Sequence, residues 1–139
     1  MKKKILSNKV LIVDDELIIA LGVQLTLKNL GFKNVWIANS GEEAITLAKK
    51  LKPELIIMDI RLGNGINGYE AAEKIQNEID SNVLFLSGYP DINLISQIVL
   101  NCPNSLILKP LDVEELKDKI NLSFKRNKTK YENKFKDCN

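Results

Sequence analysis

Leu55-Ile56-Ile57-Met58-Asp59 is a run of four apolar residues that stops at a carboxylate. Three other runs share the pattern. Val10-Leu11-Ile12-Val13 meets Asp14-Asp15, Val83-Leu84-Phe85-Leu86 meets Ser87, and Leu106-Ile107-Leu108 meets Lys109-Pro110. Short apolar runs without alternation, bounded by turn residues, fit strands buried on both faces. If these runs lie side by side and parallel, three carboxylates, a hydroxyl and an ammonium meet at one edge of one sheet.

The segments between the runs have a helical period. Ala20, Val23, Leu27 and Leu30 predict a helix over 16–30 after a strand at 9–14, with Gly31 just past its end. A strand is expected at 34–37. Ser40 and Glu43 read as a capping box for a helix carrying Ala44, Leu47, Ala48 and Leu51, ended by Pro53. After the strand at 54–59 and a glycine-rich loop at 61–66, Asn67 and Glu70 cap a helix with Ala71, Ala72, Ile75 and Ile79 on its inner face. A strand at 82–87 precedes a helix near 91–101, with Ile92, Ile95 and Val99 inward. Beyond Pro103, a strand at 105–109 leads to a helix capped by Asp112 and Glu115 and built on Val113, Leu116, Ile120 and Phe124. Five strand–helix units in series predict a single-domain, doubly wound α/β fold with a five-stranded parallel sheet and helices on both faces. Such sheets bind ligands beyond the carboxyl ends of the strands, where strand order reverses.

Composition narrows the chemistry. The 139 residues are 45% hydrophobic and 27% charged, with a net charge of +2, which suits one soluble domain and argues for no polyanionic partner. Cys102 and Cys138 form no spaced framework, so a reducing, cytoplasmic setting is expected. The start Met1-Lys2-Lys3-Lys4-Ile5-Leu6 is interrupted by Ser7, Asn8 and Lys9 and does not read as a signal peptide. No stretch has the length of a membrane span. With no histidine anywhere, His-based triads and His metal sites are excluded. Residues 126–139 are rich in lysine and read as a solvated, flexible basic tail.

Crowding Asp14, Asp15 and Asp59 requires compensating charge, and Mg²⁺ with its preference for oxygen ligands supplies it. Asp59 then stands as a nucleophile able to form an acyl phosphate, Lys109 can neutralise one phosphoryl oxygen, and the Ser87 hydroxyl can donate to another. Each residue also has an ordinary structural reading. Asp14-Asp15-Glu16 suits a helix N-terminus, Asp59 and Ser87 suit caps or turns, and Lys109-Pro110 suits a strand end. The four endings together carry more weight than any one.

The segments VLIVDDE, PELIIMDIRL, VLFLSG and LILKP resemble the receiver domain of two-component response regulators, the CheY-like family, over about residues 8–125. The resemblance implies a flavodoxin-like sheet, Asp59 as phosphoacceptor, and Mg²⁺ held by Asp14, Asp15, Asp59 and the backbone carbonyl of Arg61. Ser87 and Lys109 take the family's hydroxyl and lysine positions, Gly88 its small residue, and the Lys109–Pro110 bond is expected to be cis. The implied donor is a phosphohistidine on a sensor histidine kinase or histidine phosphotransfer protein. The implied output is a surface near the last two strand–helix units, read by a downstream protein or used for a homodimer. No enzymatic activity beyond the domain's own phosphorylation and dephosphorylation is implied.

The chain also departs from the family pattern. Leu106 stands where an aromatic residue is common, with Tyr89 nearby as another aromatic. The loop Gly63-Asn64-Gly65-Ile66-Asn67-Gly68 lacks the frequent proline. Its glycines spell GxGxxG, but Asp59 before it and Ser87-Gly88 at the next strand end do not suit a dinucleotide. Three other readings compete with this one. A Mg²⁺-dependent phosphatase of the haloacid dehalogenase type would want an acid where Arg61 stands. A static binding module is motivated by Leu106, and a receiver excised from a hybrid kinase or larger regulator fits the same residues. Direct DNA binding is not expected, since residues 126–139 read as a solvated end rather than a helix-turn-helix or nucleic-acid arm.

Overall fold

The computed structural model describes residues 1–88, 92–101 and 105–125. Tyr89, Cys102, Pro103, Cys138 and the basic segment 126–139 lie outside the described residues. The strands are β1 (Lys9–Val13), β2 (Asn34–Ala38), β3 (Leu55–Asp59), β4 (Asn82–Ser87) and β5 (Leu106–Leu108). The helices are α1 (Lys3–Leu6), α2 (Leu17–Leu30), α3 (Gly41–Leu51), α4 (Gly68–Gln76), α5 (Ile92–Asn101) and α6 (Val113–Lys125). The sheet has the order β2-β1-β3-β4-β5, and every neighbouring pair is parallel. The order reverses between β1 and β3, which puts a crevice at the carboxyl ends of those two strands.

The expected doubly wound α/β fold is observed, and both sheet faces are covered as the unalternating apolar runs require. On one face Val10, Ile12, Leu55, Ile57, Leu84 and Ile107 pack with Ala20, Val23 and Leu27 of α2 and with Leu116 and Ile120 of α6. On the other, Leu11, Val13, Ile56, Met58, Val83 and Phe85 meet α3, α4 and α5. Strand alternation sorts the residues this way, because successive side chains leave opposite faces.

Several local expectations are met at atomic detail. Asn67 and Glu70 form a reciprocal capping box, with the Glu70 N–H donating to Asn67 Oδ1 at 2.8 Å and the Asn67 N–H to Glu70 Oε1 at 3.1 Å. Asp112 Oδ1 accepts from the Glu114 and Glu115 N–H groups at the start of α6. Gly31 ends α2 at φ 112°. At α3 the box is displaced: Ser40 Oγ accepts from the Glu43 N–H, but the Glu43 carboxylate accepts from Asn39, one residue before the cap.

Two expectations are corrected. In α5, Ile92 and Val99 are exposed, and the inward stripe is Leu94, Ile95 and Ile98. The helix is apolar at most positions, so overlapping stripes of helical spacing coexist. Contact with Val83, Phe85 and Leu106 selects the tighter one. In α6, Leu116 and Ile120 are buried and Phe124 partly so, while Val113 faces solvent beside the cap. One element was not anticipated, the single turn α1, whose Ile5 and Leu6 pack against the α2–α6 core.

Candidate functional site

Register sets the heights of the strand endings. Val13 pairs with Met58, so Asp14 and Asp59 emerge level with each other. Asp59 pairs with Leu86 and Ser87 with Leu108, so Ser87 and Lys109 each stand one step further along the edge. Alternation places Asp14, Asp59 and Lys109 on the α2–α6 side, following Ile12, Ile57 and Ile107. Ser87 follows Val83 and Phe85 toward the other side.

The three carboxylates converge, each offering an oxygen within 4.8 Å of the others. Asp14 and Asp59 are 2% and 7% exposed, and Asp15 is open to solvent. Lys109 Nζ lies 3.5 Å from Asp59 Oδ2 and 3.7 Å from Asp14 Oδ2, one ammonium against two buried carboxylates. The Glu16 N–H donates to Asp14 Oδ1 at 2.9 Å, and the Arg61 N–H to Asp59 Oδ1 at 3.3 Å. Burial pushes the Asp59 carboxyl up from an ordinary 3.8 to about 6; Lys109 opposes this, Asp14 adds to it, and the Arg61 N–H pulls it down. The Lys109–Pro110 peptide is cis, as the family resemblance implied.

These groups border an open cleft of about 430 Å³ lined by Asp15, Glu16, Ile19, Asp59, Arg61, Gly63, Gly88 and Lys109. The sequence-predicted residues are brought together at this edge, with Asp14 and Ser87 buried at their strand ends and not lining the cleft; Asp14 joins the acid cluster from beneath, whereas Ser87 points to the other side of the sheet. Gly88 supplies the room expected of it, since a Cβ there would lie 3.2 Å from Lys109 Cδ. Glu16, Ile19 and Gly63 are cleft residues that the sequence reading did not single out. Glu16 and Ile19 had a usable signal, three residues apart at the start of a helix that leaves the site directly. The GxGxxG pattern is explained by loop geometry. Gly63 and Gly65 have φ of 53° and 94°, and a Cβ at Gly68 would collide with the Asp59 carbonyl oxygen.

A divalent cation fits this donor set. Asp14 Oδ2 is buried without a hydrogen-bond partner among the described residues, and Lys109 alone does not balance three converging carboxylates.

A doubly wound sheet with an acid cluster at its switch point, met by a lysine from the end of β5, is the arrangement expected of a receiver. Residues 10–121 match the model of the response regulator receiver domain, and the chain belongs to that family, the receiver modules of two-component systems. It is similar to the transcriptional regulatory protein YvrH of Bacillus subtilis strain 168, 34% identical over 118 residues that cover 84% of this chain and 49% of that protein. Among solved structures, it resembles the receiver domain of the PhyR response regulator of Erythrobacter litoralis, at TM-score 0.77 and 28% identity over 88% of this chain and 94% of that one. The CheX–CheY–BeF₃–Mg²⁺ complex from Borrelia burgdorferi shares the fold at TM-score 0.73 and 22% identity, over 84% of this chain and 89% of that one. The chain spans about half the length of the curated relatives it matches first. Among the described residues, no helix is long and apolar enough to cross a membrane.

Proposed function

We propose that this receiver is a phosphoacceptor switch in which Asp59 takes a phosphoryl group from a phosphohistidine on a sensor histidine kinase or histidine phosphotransfer protein. The observation that carries the proposal is the placement of Asp59, nearly buried on the central strand, level with Asp14, paired to Lys109 and bordering the cleft. A carboxylate oxygen of Asp59 attacks phosphorus. The P–N bond to the donor histidine breaks, its electron pair returns to the imidazole, and an acyl phosphate remains on Asp59. Asp14, Asp15, Asp59 and the Arg61 carbonyl would hold Mg²⁺, which when bound offsets the negative charge gathered around the phosphoryl oxygens. Lys109, released from sharing two carboxylates, holds one of those oxygens. Ser87 is assigned the hydroxyl that takes another, which requires it to move toward the cleft after transfer.

The domain proper is taken as residues 8–125, with 126–139 as an appended basic segment, in a cytoplasmic protein without turnover chemistry of its own. The output surface is assigned to α5, β5 and α6, where a downstream protein or a second copy would dock. Ile92, Leu100 and Leu108 support this choice, being 72%, 78% and 59% exposed.

The test is incubation with acetyl phosphate and Mg²⁺, followed by intact mass measurement. One phosphoryl group per chain is expected on the wild type, none on Asp59→Asn. Equal labelling of the variant would overturn the assignment.

A further inference from the structure

The loop between β3 and α4 touches the site at one end and a carboxylate outside it at the other. The Ile66 N–H donates to Glu42 Oε2 at 3.2 Å, across 24 residues of sequence. Both Glu42 oxygens occupy space left open by Gly65, where a Cβ would lie 2.8 Å from each. The Ile66 side chain lies over Gly41 and packs into the α3–α5 core, so Glu42 grips the loop where it enters the molecule. The Ile66 N–H is also the main reason the Glu42 carboxyl sits below its ordinary range, with Lys74 contributing.

At the site end, a Cβ at Gly63 would stand 2.8 Å from Asp15 Oδ2, so that backbone lies directly against one of the converging acids. Between buried Leu62 and half-buried Ile66 there are only Gly63, Asn64 and Gly65, all exposed. Two glycines in three residues give this stretch wide backbone freedom. The hydrogen bond at Ile66 restrains the far end of this stretch, whose near end lies against Asp15.

We propose that Glu42 is a positioning residue for the phosphoacceptor site, a carboxylate latch that fixes the β3–α4 loop and so sets how well the acid cluster and Arg61 are arranged for a cation. The proposal rests on the phosphoacceptor reading above. Glu42 itself touches neither the cleft nor Asp59; its influence passes through the loop backbone.

Three readouts on the full chain test it: Mg²⁺ Kd by calorimetry, the Mg²⁺ dependence of labelling by acetyl phosphate, and amide exchange of Ile66 in metal-free protein. Glu42→Ala should raise the Mg²⁺ Kd by roughly threefold to tenfold, the scale of one ordinary solvent-exposed hydrogen bond. The Mg²⁺ concentration for half-maximal labelling should rise with it, while the rate at saturating Mg²⁺ stays near wild type. Ile66 amide exchange should quicken. Glu42→Asp keeps the charge in the first turn of α3 but withdraws the oxygens, so it should behave like Glu42→Ala even if the alanine variant folds poorly. Glu42→Gln keeps an acceptor oxygen and should recover most of the affinity. Variants with unchanged Mg²⁺ affinity and unchanged Ile66 exchange, beside a wild type that labels normally, would overturn the latch alone. A wild type that binds no Mg²⁺ and takes no phosphoryl group would overturn the phosphoacceptor reading and the latch with it.

Discussion

At the scale of single residues, Asp59 decides most. Its folded-state carboxyl titrates near 6, against an ordinary 3.8, mainly because burial disfavours the charged form. The fold therefore holds this proton more tightly than the unfolded chain does. Stability contributed by the group falls as pH rises between about 4 and about 6, and the loss is complete above that window. In metal-free protein at neutral pH, Asp59→Asn should raise stability by about 2 kcal/mol, allowing for partial solvent access. Denaturation melts should show the advantage shrinking as pH is lowered from about 6 toward about 4, or as Mg²⁺ is added. Asp14, Asp59 and Lys109 were legible from the sequence because strand endings are local. Glu16 and Ile19 were legible in principle. Glu42 was not, because its partner Ile66 is remote in sequence and a surface glutamate in a first helical turn has an ordinary explanation.

Among the elements, α4 shows how closely local chemistry serves the site. Its capping box fixes where the helix begins, and Gly68, its first residue, donates its N–H to Ile60 O at 2.8 Å directly behind Asp59. Asn67→Ala should cost about 1 kcal/mol, read as a drop of roughly 4 °C in Tm by circular dichroism. A drop no larger than that of an exposed substitution elsewhere on α4 would count against the cap. In α5, by contrast, the helix was correctly placed while its buried face was not. A sequence apolar around most of its circumference does not encode its own orientation; the neighbours Phe85 and Leu106 do.

For the whole molecule, the site is a product of topology. Acids from β1 and β3 converge because the strand order reverses between them, and a lysine from β5 reaches back to both. A cation binding this arrangement but not the unfolded chain stabilises the fold by mass action, by about 2.7 kcal/mol at a hundredfold excess over Kd. Tm should therefore climb with Mg²⁺ in the wild type. The double variant Asp14→Asn, Asp15→Asn should give a flat titration. A variant that climbs as steeply would place the cation elsewhere.

The sequence by itself determined the kind and order of the five strand–helix units, the covering of both sheet faces, and the identity of the groups at the carboxyl edge. Those features follow from apolar periodicity, caps and glycines, which act over a few residues. Tertiary structure alone decided the register that levels Asp14 with Asp59, the face that α5 turns inward, and the side to which Ser87 points. It also set the proton affinity of Asp59 and the reach of Glu42 to Ile66. These depend on which atoms exclude water from one another across the sheet and between helices, and no local pattern carries that information.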